Sequence, residues 1–83
     1  MSVLAAAPTR EPFSLALPGL RFDPVAPDLW RVSRASGTVL GHVERRRRSG
    51  EERFAARRMA PGATAPRVVG EFWSPRDAAE CFR

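Results

Sequence analysis

The sequence contains no lysine, asparagine, glutamine, isoleucine or tyrosine, and only one cysteine (Cys81) and one histidine (His42). A lone cysteine excludes an intramolecular disulfide, and one cysteine with one histidine falls short of the three or four ligands of a zinc site. Long apolar runs are missing too. The apolar start at residues 3–7 has no basic residue before it and is too short for a signal-peptide core, and nothing approaches the roughly 20 apolar residues of a membrane span. A soluble, cytoplasmic protein without a membrane role is expected. With no Gly-rich phosphate loop, carboxylate dyad, ligand cluster or nucleophile elbow, neither enzyme chemistry nor a cofactor is expected. Eighty-three residues make one small domain at most. Folding at that length hides only roughly 60–65% of the unfolded surface, so the core must be small.

What the chain does have is arginine: 14 against nine acidic residues, for a formal charge of +5. The abundance of Ala, Arg and Pro fits a GC-rich genome, so the placement of the arginines must carry any functional argument, not their number. The first 30 residues hold Arg10 and Arg21 against Glu11, Asp23 and Asp28, while residues 31–83 hold twelve arginines against six acids, net +6. All the excess charge lies in the second part.

The chain divides near residue 28. Five of the eight prolines fall before Leu29, so residues 1–28 read as an extended arm that can join a sheet only at an edge or in pieces. Phe13, Leu15 and Leu17 alternate in this arm, and Leu20 and Phe22 do so again after Pro18-Gly19. They either cover the chain's own core or dock on a protein partner or a second copy. From Leu29 onward the pattern has period two with turn signals, which predicts strands at residues 29–34, 39–46 and 53–59, and a shorter fourth piece at 67–73. Hairpin turns fall at Ser36-Gly37 and Ser49-Gly50, and residues 60–66 form a loop. Ser74 as N-cap, Pro75 at the first helical position and Asp77 in the first turn predict a short helix from Pro75 nearly to Arg83, with Ala78, Ala79 and Phe82 on its packing face. The expected fold class is α+β: a three-stranded antiparallel meander, with a fourth short strand not placed, packed by one C-terminal helix and trimmed by the proline-rich arm.

Two-residue turns set the registers. Trp30 then faces Val43, Val43 faces Ala56, Val32 faces Gly41 and Arg45 faces Phe54, which gathers Trp30, Val32, Val39, Val43, Phe54 and Ala56 on one core face. Gly41 lies diagonal to Trp30, where a missing side chain makes room for the indole. The opposite face collects Arg31, His42 and Arg57 in one row, Leu29, Glu44 and Ala55 in the next, Ser33, Leu40 and Met59 in a third, and Arg46 opposite Arg53. Four arginines against one glutamate make this basic face the first candidate site. The run Arg45, Arg46, Arg47 and Arg48 reads as a solvated hairpin tip or as a phosphate clamp, because guanidinium groups bind phosphate oxygens bidentately and release counterions. His42, between two arginines, is expected to be neutral and to hydrogen-bond or stack, with no catalytic role. Cys81 reads as a small packing residue. Trp73 is a cover over the hinge or an exposed stacking platform, the cover being preferred.

The phrase Gly70-Glu71-Phe72-Trp73-Ser74-Pro75-Arg76-Asp77-Ala78-Ala79, following three antiparallel strands, resembles the small sheet-plus-helix domains of the arm-binding region of tyrosine recombinases and of AP2-type domains. The resemblance covers residues 29–83. It implies that the exposed face of the three strands enters the DNA major groove, with Arg31, His42, Glu44, Arg46, Arg53 and Arg57 as the reading face. A nucleic-acid-binding module, double-stranded DNA favoured, is therefore the leading expectation. A protein-interaction or structural module docking through Phe13, Leu15 and Leu17 is the alternative.

Overall fold

The computed structural model describes residues 11–83; the apolar start at residues 3–7 and the first ten residues of the arm lie outside the described residues. The class is α+β. Among the described residues five strands, β1 (Leu20–Ala26), β2 (Leu29–Arg34), β3 (Val39–Arg48), β4 (Glu51–Arg58) and β5 (Arg67–Phe72), form one antiparallel sheet in the order β1-β2-β3-β4-β5, followed by one short helix, α1 (Pro75–Glu80). The sheet is thus wider than three or four strands, and the difference lies in the arm. Residues 20–26, rich in apolar alternation but interrupted by Pro24, pair with β2 as the outer strand. An edge is where a proline is tolerated, and the register shifts between Pro24 and Ala26 as a bulge. Pro27 and Asp28 close the β1–β2 turn, with Asp28 taking the positive φ of 63° that Asp tolerates.

The β3–β4 register follows its two-residue turn, but the β2–β3 loop is one residue longer than expected: Arg34 N donates to the Thr38 carbonyl oxygen at 2.9 Å, only Gly37 of the loop has a positive φ (99°), and the expected pairing resumes from Val32 onward. Leu29 pairs with Glu44, Trp30 with Val43, Arg31 with His42 and Val32 with Gly41; across the next hairpin Val43 pairs with Ala56 and Arg45 with Phe54. Ser49 and Gly50 have φ of 50° and 80°, the pair of positive angles of a type I′ turn. One departure matters. The β2–β3 register shifts between Val32 and Ser33, so that Ser33 meets Val39 and Leu40 is the inserted residue. Leu40 therefore turns into the core, while Val39, expected on the core face, is exposed. The inserted residue offsets the extra residue of the loop, and Gly41 follows it. A Cβ there would lie 1.9 Å from the carbonyl oxygen of Arg57. The missing side chain admits the neighbouring backbone of β4, not the Trp30 indole.

One face of the sheet is covered by two different elements. Ala78, Ala79 and Phe82 bring α1 and the turn after it onto β3, β4 and β5, and all three are buried. Ser74 Oγ accepts from the Asp77 amide at 3.1 Å and caps the helix. The other half is covered by the arm. Phe13 stacks on Phe22 at 4.4 Å and meets the Trp30 ring edge-on at 5.3 Å, Leu17 is buried, and Trp30 Nε1 donates to the Glu11 carbonyl oxygen at 2.8 Å. The resulting core is continuous through Trp30, Val32, Val43, Phe54 and Phe82. A six-residue helix would not persist alone in water, and it is held here by packing. Among the described residues, no helix is long and apolar enough to cross a membrane.

Candidate nucleic-acid interface

Among the described residues neither the helix nor the arm lies on the opposite face of the sheet, and alternation along each strand assigns its residues. Arg21 and Asp23 come from β1, Arg31 from β2, His42, Glu44, Arg46 and Arg48 from β3, Glu51, Arg53 and Arg57 from β4, and Glu71 and the exposed Val68, opposite Arg57, from β5. The row Arg31–His42–Arg57 crosses the three central strands with each residue directly opposite the next. Partial burial lowers the His42 pKa from 6.5, and the charges of Arg31 and Arg57 push it the same way. A neutral imidazole, one nitrogen a donor and the other an acceptor, thus sits between two cations.

The face is less positive than the central strands alone imply. Asp23, Glu51 and Glu71 join Glu44, and most of the arginines engage them. Glu44 Oε1 accepts from Arg57 Nη2 at 2.8 Å and from Arg46 Nε at 2.9 Å; Arg46 Nη1 donates onward to Glu71 Oε2 at 3.1 Å, which Arg48 approaches to 3.8 Å. The small residue Ala55 makes this ladder possible. It stands between Glu44 on β3 and Glu71 on β5, and it is fully buried on a face that neither helix nor arm covers. Arg46 and Arg53 are directly opposite, an unfavourable pairing of like charges. Each leaves the other: Arg46 leans onto the two glutamates, while Arg53 reaches Glu51 at 3.2 Å and lays its guanidinium over the Trp73 ring, 3.1 Å from the centroid. Trp73 is 67% exposed, so it is a platform and not a cover. The bonds to Glu44, with smaller help from Glu71, raise the Arg46 pKa. Arg31 has no carboxylate within salt-bridge distance among the described residues. Arg57 Nε is buried without an acceptor.

The four-arginine run does not act as one patch, because a strand sends successive side chains to opposite faces. Arg46 and Arg48 belong to the open face. Arg45 and Arg47 belong to the covered one, where Arg47 approaches Glu52 at 3.5 Å. Arg45 is the most enclosed of the run: its Nε donates to Asp28 Oδ1 at 2.7 Å, its Nη2 meets Glu11, Glu52 lies at 3.6 Å, and its guanidinium stands 5.3 Å from the Trp30 ring centre. Burial alone would lower its pKa, but the bonds to Glu11 and Asp28 outweigh that and raise it. Arg45 fastens the arm and the β1–β2 turn to β3. Of the arm residues named for partner docking, Phe13 and Leu17 pack within the molecule and Leu15 is half-buried.

Sequence reasoning passed over Asp23, Glu51 and Glu71 as parts of this face. Glu51 was legible, lying two residues from Arg53 on the same strand. Asp23 and Glu71 depend on where the two outer strands dock. Among the described residues no three His, Cys, Asp or Glu side chains gather as a metal site. No family model matches the chain, and neither the curated proteins nor the solved structures include a match to it.

Proposed function

We propose that the chain is a small nucleic-acid-binding module, double-stranded DNA favoured, that grips its ligand with the open face of the sheet. The observation that carries this reading is the row Arg31–His42–Arg57 across the centre of the uncovered face. Cations at its ends supply phosphate contacts and the neutral imidazole offers a donor and an acceptor to a base edge. Arg21 and Arg48 extend the positive margin toward flanking phosphates, and Arg46 and Arg53 exchange a carboxylate for a phosphate oxygen on binding. Arg45 and Arg47, on the other face, take no part. The likeness to sheet-plus-helix DNA-binding domains supports the same use of the face, and a cytoplasmic location fits it. Docking through Phe13, Leu15 and Leu17 has less support, because two of these three side chains already pack on the chain's own core.

The test is fluorescence anisotropy with a random labelled duplex, and with one of its strands alone, from about 50 to 200 mM salt. Wild type should bind the duplex with a steep salt dependence that flattens in Arg31→Ala/Arg57→Ala. Arg47→Ala, a loss of equal charge type on the opposite face, should leave the slope unchanged. Equal loss in both variants would mark the binding as nonspecific attraction to net charge. No binding at low salt would remove the reading altogether.

A further inference from the structure

Two pairs of arginines face each other across β4, and only one of them is neutralised. Arg46 and Arg53 have the partners described above. Arg58 and Arg67 are also directly opposite, at the far end of the sheet, and among the described residues neither has a carboxylate within 4.0 Å. Arg58 Nη1 donates only to the Cys81 carbonyl oxygen, at 3.3 Å. Arg34, at the end of β2, is likewise without a carboxylate. Like charges held opposite each other without a counterion are unfavourable, and the deficit is one that an anion would remove.

The surface around these arginines is concave and apolar. A cleft of about 460 Å³ lies between the β2–β3 turn and the loop at residues 59–66, with Arg34, Val39, Leu40, Arg58, Met59 and Pro61 among its walls. A second, of about 370 Å³, lies on the β5 side of the same loop; it shares Arg58 and Pro61 and adds Arg67, Val68 and Val69. Val39 is 43% exposed and Val68 and Val69 are each 50% exposed. Both clefts exceed the roughly 300 Å³ at which ligand sites begin.

We infer that this end of the sheet binds an extended acidic-apolar peptide segment of a partner protein, its carboxylates on Arg34, Arg58 and Arg67 and its apolar side chains against Val39, Met59, Val68 and Val69. A phosphodiester backbone would meet the arginines but leave the valines in water, whereas a peptide alternating acidic and apolar residues satisfies both. The size agrees. From β2 to β5 is three interstrand steps of about 4.8 Å, which a peptide of four to five extended residues at about 3.3 Å each would cover. This site adjoins the open face only at Val68, which stands directly opposite Arg57, while Arg58 and Arg67 are opposite each other at the next position along β4, and it does not rest on duplex binding at Arg31 and Arg57.

The experiment is an amide NMR titration of the full chain with the peptide Glu-Leu-Glu-Leu-Glu, with its glutamine analogue Gln-Leu-Gln-Leu-Gln, and with a random duplex. The acidic peptide should shift Arg34, Leu40, Arg58, Met59 and Val68 saturably, with Kd below about 1 mM, and Arg58→Gln/Arg67→Gln should weaken it by about tenfold or more. Val68→Ser, which leaves both arginines in place, should weaken it by about threefold. All three substituted positions are exposed, and unchanged spectra elsewhere report an intact fold. Equal binding of the glutamine analogue, no shift at these residues, or larger shifts there with the duplex than with the peptide would each overturn the inference. Duplex shifts confined to Arg31, His42 and Arg57 would leave it standing and speak only to the open face.

Discussion

The two ends of this sheet hold opposed arginines in opposite states. At the β3–β4 turn, Arg45, Arg46, Arg47, Arg48 and Arg53 meet Glu11, Asp28, Glu44, Glu51, Glu52 and Glu71, so that the densest positive run in the sequence becomes the most neutralised region of the fold. At the β4–β5 loop, Arg34, Arg58 and Arg67 are scattered in sequence and meet no carboxylate among the described residues. Local charge density along a chain therefore says little about surface potential. What decides it is which carboxylates the strand order brings alongside, and here the arm, the β1–β2 turn and β5 bring three of the six acids, Glu11, Asp28 and Glu71, to the arginine-rich end.

That contrast can be broken at its hinge. Gly41→Ala should have the largest effect, roughly 3 kcal/mol or more of lost stability in urea melts, because a Cβ there would meet the Arg57 carbonyl. A variant with unchanged stability would show that β4 can move aside. At the neutralised end, Glu44→Ala should cost roughly 1–3 kcal/mol, since it removes the oxygen shared by Arg46 and Arg57 and leaves both short of a partner. At the other end Arg67→Glu should do the reverse and stabilise by about 0.5 kcal/mol, turning a like pair into an opposite one. Its gain should shrink as salt is added. If both glutamate changes moved the midpoint in the same direction, the two ends would not differ as described.

The smallest effect concerns His42, between the two ends. Burial first, and then Arg31 and Arg57, place its folded pKa below the 6.5 of the unfolded chain. The unfolded state accordingly binds more protons at acid pH. This contribution is complete above pH 6.5 and is lost as the pH falls through 6.5 toward the folded value. Melts of wild type and His42→Phe should diverge over that window, and the pKa read from the imidazole resonances should rise in Arg31→Ala. A wild-type value at or above 6.5 would contradict the arrangement.

Much of the central meander was legible because short-range chemistry sets it. Ser49-Gly50 adopts the positive angles of a two-residue turn, which fixes the β3–β4 register through all eight paired residues and with it the split of Arg45 and Arg47 from Arg46 and Arg48. Ser74, Pro75 and Asp77 start the helix where they predict it, and it ends at Glu80, short of Arg83. The β2–β3 register was legible only up to Val32, because the loop beyond it holds three residues where two were expected and the bulge at Leu40 offsets the difference. β1 was hidden by the prolines of the arm, and the cost of Pro24, the one it contains, vanishes at an edge that donates no hydrogen bonds outward.

The sequence by itself determined the class, the β3–β4 turn, the capped helix and the alternation that separates an apolar face from a charged one, since each of these rests on interactions within a few residues. Only the tertiary structure decided which arginines stay uncompensated. Ion pairing is settled by neighbours such as Glu11 with Arg45 or Glu71 with Arg46, brought together from 34 and 25 residues apart by strand order and burial, and no local pattern encodes those distances.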